Sequence, residues 1–288
     1  MNSKTDNTIK VAALSERDFS RLSKLIHEMC GIKMPPAKKV MLESRLSKRL
    51  KKLGIHTFRD YSEYLFSPQG MENELVHMID MVTTNKTDFF REPAHFSFLA
   101  DTAAPELISL YGAGTRRTLN VWSAGCSTGE EPYSLAMVLH ELREKYRGFE
   151  YVVLATDIST KVLDIARLGI YSEDKVEPVP AFLKRKHVLR GKKSYENMVR
   201  IVPELRTMIK WRRLNFMEGD FGMRELMDVI FCRNVIIYFD KPTQETLLKR
   251  FCSHLIPGGY VFMGHSETLQ GMDLPLISVA PTVYRKTK

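Results

Sequence analysis

The sequence predicts an α/β protein with a doubly wound, mostly parallel sheet, preceded by an all-helical domain and interrupted by a small antiparallel β insertion. Three observations support this prediction. From about residue 96 onwards, short apolar runs alternate with helical segments, as in a parallel sheet with helices on both faces. Several of these runs are apolar throughout, which is typical of strands covered on both faces. Earlier in the chain, apolar residues recur at helical spacing instead.

The helical domain is predicted over residues 1–82. Ser15 precedes apolar residues at helical spacing, and Asp18 lies three residues further on, as in a capping box. A longer helix is predicted over 37–53, where leucines recur at helical spacing and Gly54 follows as a terminating glycine. These signals indicate a bundle of short helices.

The second domain is predicted over residues 96–288, after a linker or lid at 83–95. A basic stretch at about 184–214 contains short alternating runs, which indicate the antiparallel insertion. Pro257-Gly-Gly259 is interpreted as a turn. The sequence predicts strands at 119–124, 151–157, 228–232 and 260–263, a final strand pair at about 275–286, and helices at 130–145, 160–168 and 244–255.

The charge distribution indicates a partner, while the cysteine spacing and the apolar runs argue against a zinc protein, a secreted protein and a membrane-spanning protein. Residues 1–60 hold 14 Lys/Arg against 6 Asp/Glu and so carry +8 of the net charge of +9, which indicates an acidic partner for this part of the chain. Four cysteines at spacings that fit no zinc pattern predict reduced thiols and no metal site. The N-terminus lacks the apolar core of a signal peptide, and no apolar run approaches the ~20 residues needed to cross a bilayer. We therefore expect a soluble, cytoplasmic protein.

A ligand site is predicted directly after the first strand. Gly125 and Gly129 lie in the turn from this strand into a helix, where glycines let a ligand approach the backbone closely. The helix begins with Glu130 and Glu131, which would repel a pyrophosphate and attract a cationic ligand. S-adenosylmethionine fits, because it has a nucleoside, an ammonium and a sulfonium but no phosphate. The alternative is that both glutamates only favour the helix dipole.

Polar residues also follow two other predicted strands. Asp157 ends the second strand, where an acid can bind ribose hydroxyls; the alternative is that it caps the next helix. Arg233, Asn234 and Tyr238 follow the strand at 228–232. Because the carboxyl ends of parallel strands face the ligand crevice, these three side chains are candidates for the site. For Tyr238 the alternative is a half-buried core aromatic.

The predicted linker supplies a third group of candidates. Asn85, Thr87 and Arg91 lie beside an aromatic pair, in a segment that is suited to cover a cleft. The alternative is that they cap helix ends, with Arg91 in a surface ion pair. The (N/D)PPY motif of many amino- and base-methylating enzymes does not follow the strand at 228–232, and this argues against a nucleic-acid substrate.

Six segments of the chain resemble one known family. They are TTNKTDFFRE at 83–92, WSAGCSTGEEPYS at 122–134, ATDIS at 155–159, RLNF at 213–216, DVIFCRNVIIYFD at 228–240 and GHSE at 264–267. Together they resemble the chemotaxis receptor methyltransferase (CheR) family over nearly the whole chain. The resemblance implies a class I methyltransferase-like fold. It also implies an S-adenosylmethionine-dependent protein-glutamate O-methyltransferase that acts on bacterial chemoreceptors and releases S-adenosyl-L-homocysteine.

The resemblance implies roles for the matching positions. Arg91 would hold the cofactor carboxylate or steer the acceptor, and Tyr238 would lie near the transferred methyl group, so both are candidate catalytic residues. His265 is interpreted as structural. The implied cofactor contacts are Asn85, Thr87, Arg91, Glu131, Asp157, Asn215, Phe216, Arg233 and Asn234.

The basic helix is interpreted as a recognition surface. Residues 38–52 contain seven cations and one acid, and receptor methylation helices are expected to be rich in glutamate. Arg45, Lys48 and Arg49 match the family's receptor-facing cations best. A solvated helix face and a nucleic-acid-binding surface are the alternatives. The insertion resembles the family's β-subdomain, but Gly191 has no second glycine nearby, so binding of a receptor tail peptide stays open.

Three classes of function are therefore compared. The favoured one is a receptor glutamate methyltransferase that acts as a monomer, binds no nucleic acid and does not insert into a membrane. The second is an RNA or DNA methyltransferase that uses its basic N-terminal helix on phosphates. The third is a non-catalytic module that binds S-adenosylmethionine.

Overall fold

The computed structural model describes residues 12–287, which form two compact units that divide after Thr84. The helical domain is predicted over residues 1–82. Residues 1–11 lie outside the described part of the chain, and so does the N-terminus on which the signal-peptide prediction depends. The regular elements described in the first unit are helices. They are α1 (Glu16–Cys30), α2 (Lys39–Leu53), α3 (Phe58–Leu65), α4 (Pro68–Asn73) and α5 (Leu75–Val82).

Local sequence signals explain where the first helices begin and end. Ser15 Oγ accepts the backbone N–H of Asp18 at 3.1 Å and so caps α1, as the capping-box pattern predicts. Gly31 and Gly54 end α1 and α2 in the left-handed conformation, with φ of 71° and 70°, which glycine adopts without a steric penalty. The buried apolar residues of this unit include Phe19, Leu22, Ile26, Leu42, Leu46, Leu50, Phe58, Leu65 and Ile79.

The second unit contains two sheets. A turn of π-helix, Leu99–Ala103, joins its first two helices. The helices are α6 (Pro93–Phe98), α7 (Ala104–Tyr111), α8 (Glu130–Lys145), α9 (Thr160–Leu168), α10 (Ala181–His187), α11 (Pro203–Thr207) and α12 (Lys241–Ser253). The strands are β1 (Leu119–Ala124), β2 (Tyr151–Asp157), β3 (Ile170–Ser172), β4 (Val188–Arg190), β5 (Met198–Ile201), β6 (Ile209–Arg213), β7 (Met227–Cys232), β8 (Leu255–Met263), β9 (Leu276–Ala280) and β10 (Val283–Lys286).

Seven strands form the large sheet, in the order β6-β2-β1-β7-β8-β10-β9. The pairs from β6 to β8 are parallel, and β10 is antiparallel to both β8 and β9. The register places Trp122 of β1 between Leu154 of β2 and Ile230 of β7. Every residue of β7 is buried, as expected for a central strand with helices on both faces. The predicted doubly wound, mostly parallel sheet is therefore confirmed.

Three predicted features of the second unit need correction. The predicted antiparallel insertion at about 184–214 includes β6, but β6 pairs in parallel with β2 and belongs to the large sheet. The small antiparallel sheet begins earlier, at β3, and has the order β3-β5-β4. Pro257-Gly-Gly259 lies within β8 rather than in a turn, at a point where the register against β7 shifts. A register shift lets a strand absorb extra residues without ending.

The topology determines where a ligand crevice forms. Gly125 directly follows β1, Asp157 ends β2 and Arg233 directly follows β7. Since these three strands are neighbours and parallel, their carboxyl ends meet at one edge of the sheet. The strand order also changes direction between β1 and β7, and in open α/β sheets ligands bind at such a point.

Candidate active site

The turn after β1 brings backbone close to two neighbouring segments. Gly125 has a φ of 84°, and a Cβ added there would lie 2.4 Å from Cγ2 of Val235. Gly129, with a φ of 97°, precedes α8, and a Cβ there would lie 2.9 Å from the Tyr171 hydroxyl. Both positions therefore require glycine for space as well as for conformation. Ser127, between them, adopts a φ of 48°, which is uncommon for a residue with a side chain.

The Asp157 carboxylate holds this turn in place. Its Oδ2 accepts the backbone N–H of Ser127 at 2.8 Å, and its Oδ1 accepts that of Ser159 at 2.9 Å. Ser159 caps helix α9, because its hydroxyl accepts the backbone N–H of Val162. Asp157 is therefore not the capping residue of this helix. A carboxylate has about four acceptor sites, so the buried Asp157 carboxylate can also accept hydrogen bonds from ribose hydroxyls.

A buried arginine links β7 to the start of α8. The Arg233 side chain is 2% exposed, and its Nη1 lies 3.4 Å from Oε2 of Glu131 while its Nε lies 3.3 Å from Oε2 of Glu92. Ser123 in β1 donates to the other oxygen of Glu131 at 2.6 Å. Burial raises the pKa of Glu131, and the charge of Arg233 opposes that shift. One guanidinium thus faces two carboxylates, and a cationic ligand would complete the charge balance.

The second acid of the predicted pair has different partners. Thr128 Oγ1 donates to Oε2 of Glu130 at 2.6 Å, and Lys175 Nζ lies 4.0 Å from its Oε1. Lys175 also donates to the Thr87 carbonyl at 3.2 Å. Burial raises the pKa of Glu130. The two adjacent glutamates therefore act separately, and only Glu131 bonds to the arginine at the end of β7.

The segment predicted as a linker belongs to the second unit from Asn85 onwards. The Asn85 carbonyl accepts the Ser127 hydroxyl at 3.0 Å, and the Arg91 carbonyl accepts Nη2 of Arg233. The Arg91 guanidinium donates to the carbonyl of Lys86 at 3.5 Å. Segment 85–92 is thus bound through its carbonyls to the turn after β1 and to the end of β7.

Asn215 and Phe216 follow β6 at the same edge of the sheet. The backbone N–H of Leu214 donates to the Asp157 carbonyl at 3.0 Å, which holds this segment beside β2. Asn215 Oδ1 accepts the N–H of Met217 at 3.0 Å. Phe216 packs edge-on against Phe251 and lines a cavity of about 190 Å³ with an apolar wall.

Tyr238 and Asn234 lie on the loop that follows β7. Asn234 adopts a left-handed φ of 59°, and Tyr238 ends a short 3₁₀ turn in which it is half-buried. The sequence analysis missed the residue that holds this loop. Glu267, in the GHSE segment after β8, accepts the N–H groups of residues 234–236 in this loop and that of Gly264 in its own segment. The only sequence signal for Glu267 is that an acid follows a predicted strand, within the GHSE segment of the family resemblance.

Two family descriptions divide the chain at the same place as the structure. "CheR methyltransferase, all-alpha domain" matches residues 17–83, and "CheR methyltransferase, SAM binding domain" matches residues 85–284. The chain belongs to the CheR methyltransferase family. It is therefore an S-adenosylmethionine-dependent methyltransferase.

Curated relatives match over almost their whole length. A "Chemotaxis protein methyltransferase" of Borreliella burgdorferi is 39% identical over 95% of this chain and 95% of its own. "Chemotaxis protein methyltransferase 2" of Pseudomonas aeruginosa is 40% identical over 94% of this chain and 93% of its own. The relative from Escherichia coli is 38% identical over 96% of this chain and 93% of its own. Among solved structures, the N-methyltransferase NodS from Bradyrhizobium japonicum matches 71% of this chain and 70% of its own at 15% identity, with a TM-score of 0.33.

The crevice of this CheR methyltransferase fits S-adenosylmethionine on two counts. Glycine at 125 lets the turn after β1 pack directly against Val235 of the loop after β7, so the two segments that border the crevice lie close together. The buried charges around Arg233 leave an excess of carboxylate, which suits a sulfonium and an ammonium rather than a phosphate. Asp157, Glu131 and Arg233 are brought together at this edge.

The predicted recognition cations of the CheR methyltransferase lie in the first unit and have unequal surroundings. Arg49 is 9% exposed, and its Nε and Nη2 bond to the two oxygens of Glu74 at 2.7 and 2.5 Å. Tyr61 donates to the same carboxylate at 3.0 Å. Arg49 is thus a core residue, and the prediction that it faces a partner needs correction, because its guanidinium is buried and forms a two-point pair with Glu74.

Arg45 and Lys48 differ from Arg49. Arg45 is half-buried and donates to the carbonyls of Val82 and Thr83 at 2.5 and 3.0 Å, so it caps the end of α5. Lys48 is exposed. Of the three predicted cations, Lys48 is the one whose side chain is presented to solvent. None of the helices in residues 12–287 is long and apolar enough to span a bilayer.

The single glycine of the β-subdomain loop has a structural explanation. A Cβ at Gly191 would lie 1.9 Å from the carbonyl oxygen of Tyr195, and the Gly191 N–H donates to the Met198 carbonyl at 2.8 Å. Glycine is therefore needed here to close the loop between β4 and β5. It carries no information about a peptide ligand.

Proposed function

We propose that this protein transfers the methyl group of S-adenosylmethionine to glutamate side chains of bacterial chemoreceptors and forms glutamate methyl esters in chemotaxis. The observation that carries the proposal is the chemistry of the crevice. It gathers groups that hold a cationic cofactor, and its thiols and buried histidine are unsuited to remove a proton from an acceptor.

The state of these groups favours an acceptor that is already anionic. Burial raises the pKa of both Cys126 and Cys232, so neither thiol is a thiolate nucleophile near neutral pH. Burial, together with the nearby Arg233 charge, lowers the pKa of His95 to about 4, so this histidine is a weak base. A glutamate has a reference pKa of about 4.3 and is ionised at neutral pH. Its carboxylate can attack a methyl group without losing a proton first.

The cofactor, when bound, supplies an electrophilic methyl group on a positively charged sulfur. In this proposal Asp157 binds the ribose hydroxyls, and Glu131 balances the cationic part of the cofactor. Arg91 supplies a guanidinium for a carboxylate, that of the cofactor or of the acceptor. Tyr238 donates a hydrogen bond from its hydroxyl to the acceptor oxygen that does not attack, and keeps its proton. The contribution of the protein is alignment and exclusion of water, since the opposite charges of acceptor and methyl donor cancel during transfer.

Recognition of the receptor is assigned to the exposed lysines of α2. Lys48, Lys51 and Lys52 are exposed, and we call them the lysine face. A glutamate-rich receptor helix would be steered by this positive face, whose effect is largest at low ionic strength. Arg45 and Arg49 support the helix bundle instead.

The stability of the labelled product in alkali tests the proposal. The protein is incubated with methyl-labelled S-adenosylmethionine and receptor-containing membranes, and the receptor is isolated. Mild alkali releases methanol from a glutamate methyl ester, whereas N-methyl groups and methylated bases survive. We expect volatile label, and peptide mapping should place it on glutamate.

Two results would contradict the proposal. Alkali-stable label on RNA or DNA would favour the nucleic-acid methyltransferase. Binding of S-adenosylmethionine with no transfer to any receptor membrane would favour a module without catalysis. Asp164→Asn, which alters an exposed acid paired with Arg167 on α9, is the control and should keep full activity.

A further inference from the structure

One buried carboxylate organises the loop that follows β7. Glu267 is 4% exposed, and its Oε1 accepts the N–H groups of Val235 and Ile236 at 2.8 and 2.9 Å. Its Oε2 accepts those of Asn234 and Gly264 at 2.8 and 2.7 Å. Four backbone donors therefore converge on one side chain. Such a set of successive N–H groups is the kind of concavity that binds an anion, and here the anion is part of the chain.

The loop needs this carboxylate because its own conformation is unfavourable. Asn234 has a φ of 59°, in the left-handed region that residues with a side chain adopt uncommonly and asparagine more readily than most. Three consecutive N–H groups of the loop point the same way, so they need a shared acceptor, which Glu267 supplies. Charge-assisted hydrogen bonds to a carboxylate are about twice as strong as neutral ones. They are thus strong enough to hold the strained loop in one conformation.

Gly264 lies so close to Asn234 and Glu267 that it leaves no room for a side chain. A Cβ at this position would lie 2.7 Å from Nδ2 of Asn234 and 2.9 Å from Oε2 of Glu267. The end of β8 and the loop after β7 can therefore approach only where the side chain is absent. We call Glu267, Gly264 and the N–H groups of residues 234–236 the loop clasp.

We infer that Glu267 is a positioning residue of the methyl-transfer site. It does not touch the acceptor; it fixes the backbone of residues 234–236 and thereby orients Tyr238, which follows them. Arg233 has other partners, in Glu92 and Glu131. The clasp holds the N-terminal end of the 3₁₀ turn that carries Tyr238, and Gln244 donates to the carbonyls of Ile236 and Phe239 at 2.8 and 3.1 Å. Loss of the clasp should therefore disturb the transfer step more than cofactor binding. This inference rests on methyl transfer at this site, which is part of the proposed function.

The test compares Glu267→Gln with wild type. The amide keeps the size of the side chain, but its NH₂ group opposes two of the four N–H donors. We expect kcat, corrected for the folded fraction, to fall at least 10-fold while the Kd of S-adenosyl-L-homocysteine changes less than 3-fold. Glu245→Gln is the matched control on α12, where the acid forms a surface pair with Lys249 at 2.6 Å, and it should leave both quantities unchanged.

A second variant separates positioning from folding. The methyl group of Gly264→Ala would clash with Asn234 and Glu267 and so disturb the clasp without changing Glu267, and it should lower kcat in the same way. The double variant should lose less than the product of the two single losses, because both act on one clasp. If Glu267→Gln does not fold, Gly264→Ala and Glu267→Asp provide the same comparison.

Two kinds of result are decisive. The inference is overturned if folded Glu267→Gln and Gly264→Ala both keep kcat within 3-fold of wild type, or if cofactor affinity falls as much as kcat. Failure of the proposed function would be seen in wild type, as the lack of alkali-labile receptor label. In that case the inference is judged by amide hydrogen exchange at residues 234–236 with S-adenosyl-L-homocysteine bound. Exchange there should be at least 10-fold faster in Glu267→Gln, and equal rates would overturn it.

Discussion

Substitution of Asp157 by Asn is the most direct test of the crevice. The change keeps the shape of the side chain but removes its charge. In the folded protein the carboxylate accepts the N–H groups of Ser127 and Ser159 at 2.8 and 2.9 Å. An amide has one oxygen, so it keeps one of these bonds and turns an NH₂ group toward the other donor. Ser127, with its φ of 48°, then loses the bond that holds it.

The size of the effect follows from these contacts. A hydrogen bond to a charged group contributes about 1.5–3 kcal/mol. Loss of one bond to a ribose hydroxyl and weakening of the turn should together reduce cofactor binding by about 3 kcal/mol, which is roughly 100-fold in Kd.

Isothermal titration calorimetry with S-adenosyl-L-homocysteine measures this change. Asp164→Asn is the control, since this acid on α9 is exposed and pairs with Arg167 at 3.0 Å. A Kd for Asp157→Asn within 3-fold of wild type, in a protein that is fully folded, would refute the assignment of Asp157 to the cofactor site.

Three further predictions concern the lysine face, the core of the first unit and acid stability. Lys48→Glu combined with Lys51→Glu should slow receptor methylation about 10-fold at low salt and leave S-adenosyl-L-homocysteine affinity unchanged; an unchanged rate would mean that these lysines are only solvated. Arg49→Met leaves the Glu74 carboxylate buried without its cation and should destabilise the first unit by about 3–5 kcal/mol, measured by urea unfolding. Arg59→Met, which removes an exposed pair, should cost less than about 1 kcal/mol, and equal losses would contradict the distinction. The pKa of His95 is lowered to about 4 in the folded protein, so between about pH 6.5 and 4 this histidine is protonated in the unfolded chain and neutral in the folded one. Stability should therefore decline as pH falls from 6.5 toward 4, and His95→Gln should remove up to about 3 kcal/mol of that decline; parallel pH curves for the two proteins would contradict it.

Strong local signals made much of the fold predictable. The bounds of β1, α8, β2 and α9 agree with the sequence prediction, because apolar strands, caps and glycine stops coincide there. β6 was assigned to the wrong sheet. Its sequence, IKWRR, resembles a half-exposed antiparallel strand, and only its partner β2, far away in the chain, determines that it pairs in parallel.

The site was predictable where it depends on strand ends and not where it depends on tertiary contacts. Asp157 and Arg233 could be placed because parallel strands end at one edge. The role of Glu267 is defined by backbone groups about 30 residues away in the chain, and no local pattern shows them.

The buried arginine could have been recognised from spacing alone. Arg49 lies seven and three residues after Leu42 and Leu46, so it shares their apolar helix face. The number of charges in 38–52 does not show this, because it does not separate the buried face of the helix from the exposed one. A run of cations along a helix should be divided by face before a partner is assigned to it.

Several residues around the crevice have a left-handed backbone although they carry side chains. Of the six described residues of this kind, four lie in segments 85–92, 125–129 and the loop after β7: Phe90, Glu92, Ser127 and Asn234. Each of these conformations stores free energy that the surrounding contacts must balance. Glycine would adopt these conformations without the steric cost, so the strain in these segments comes from side chains that the chain keeps there.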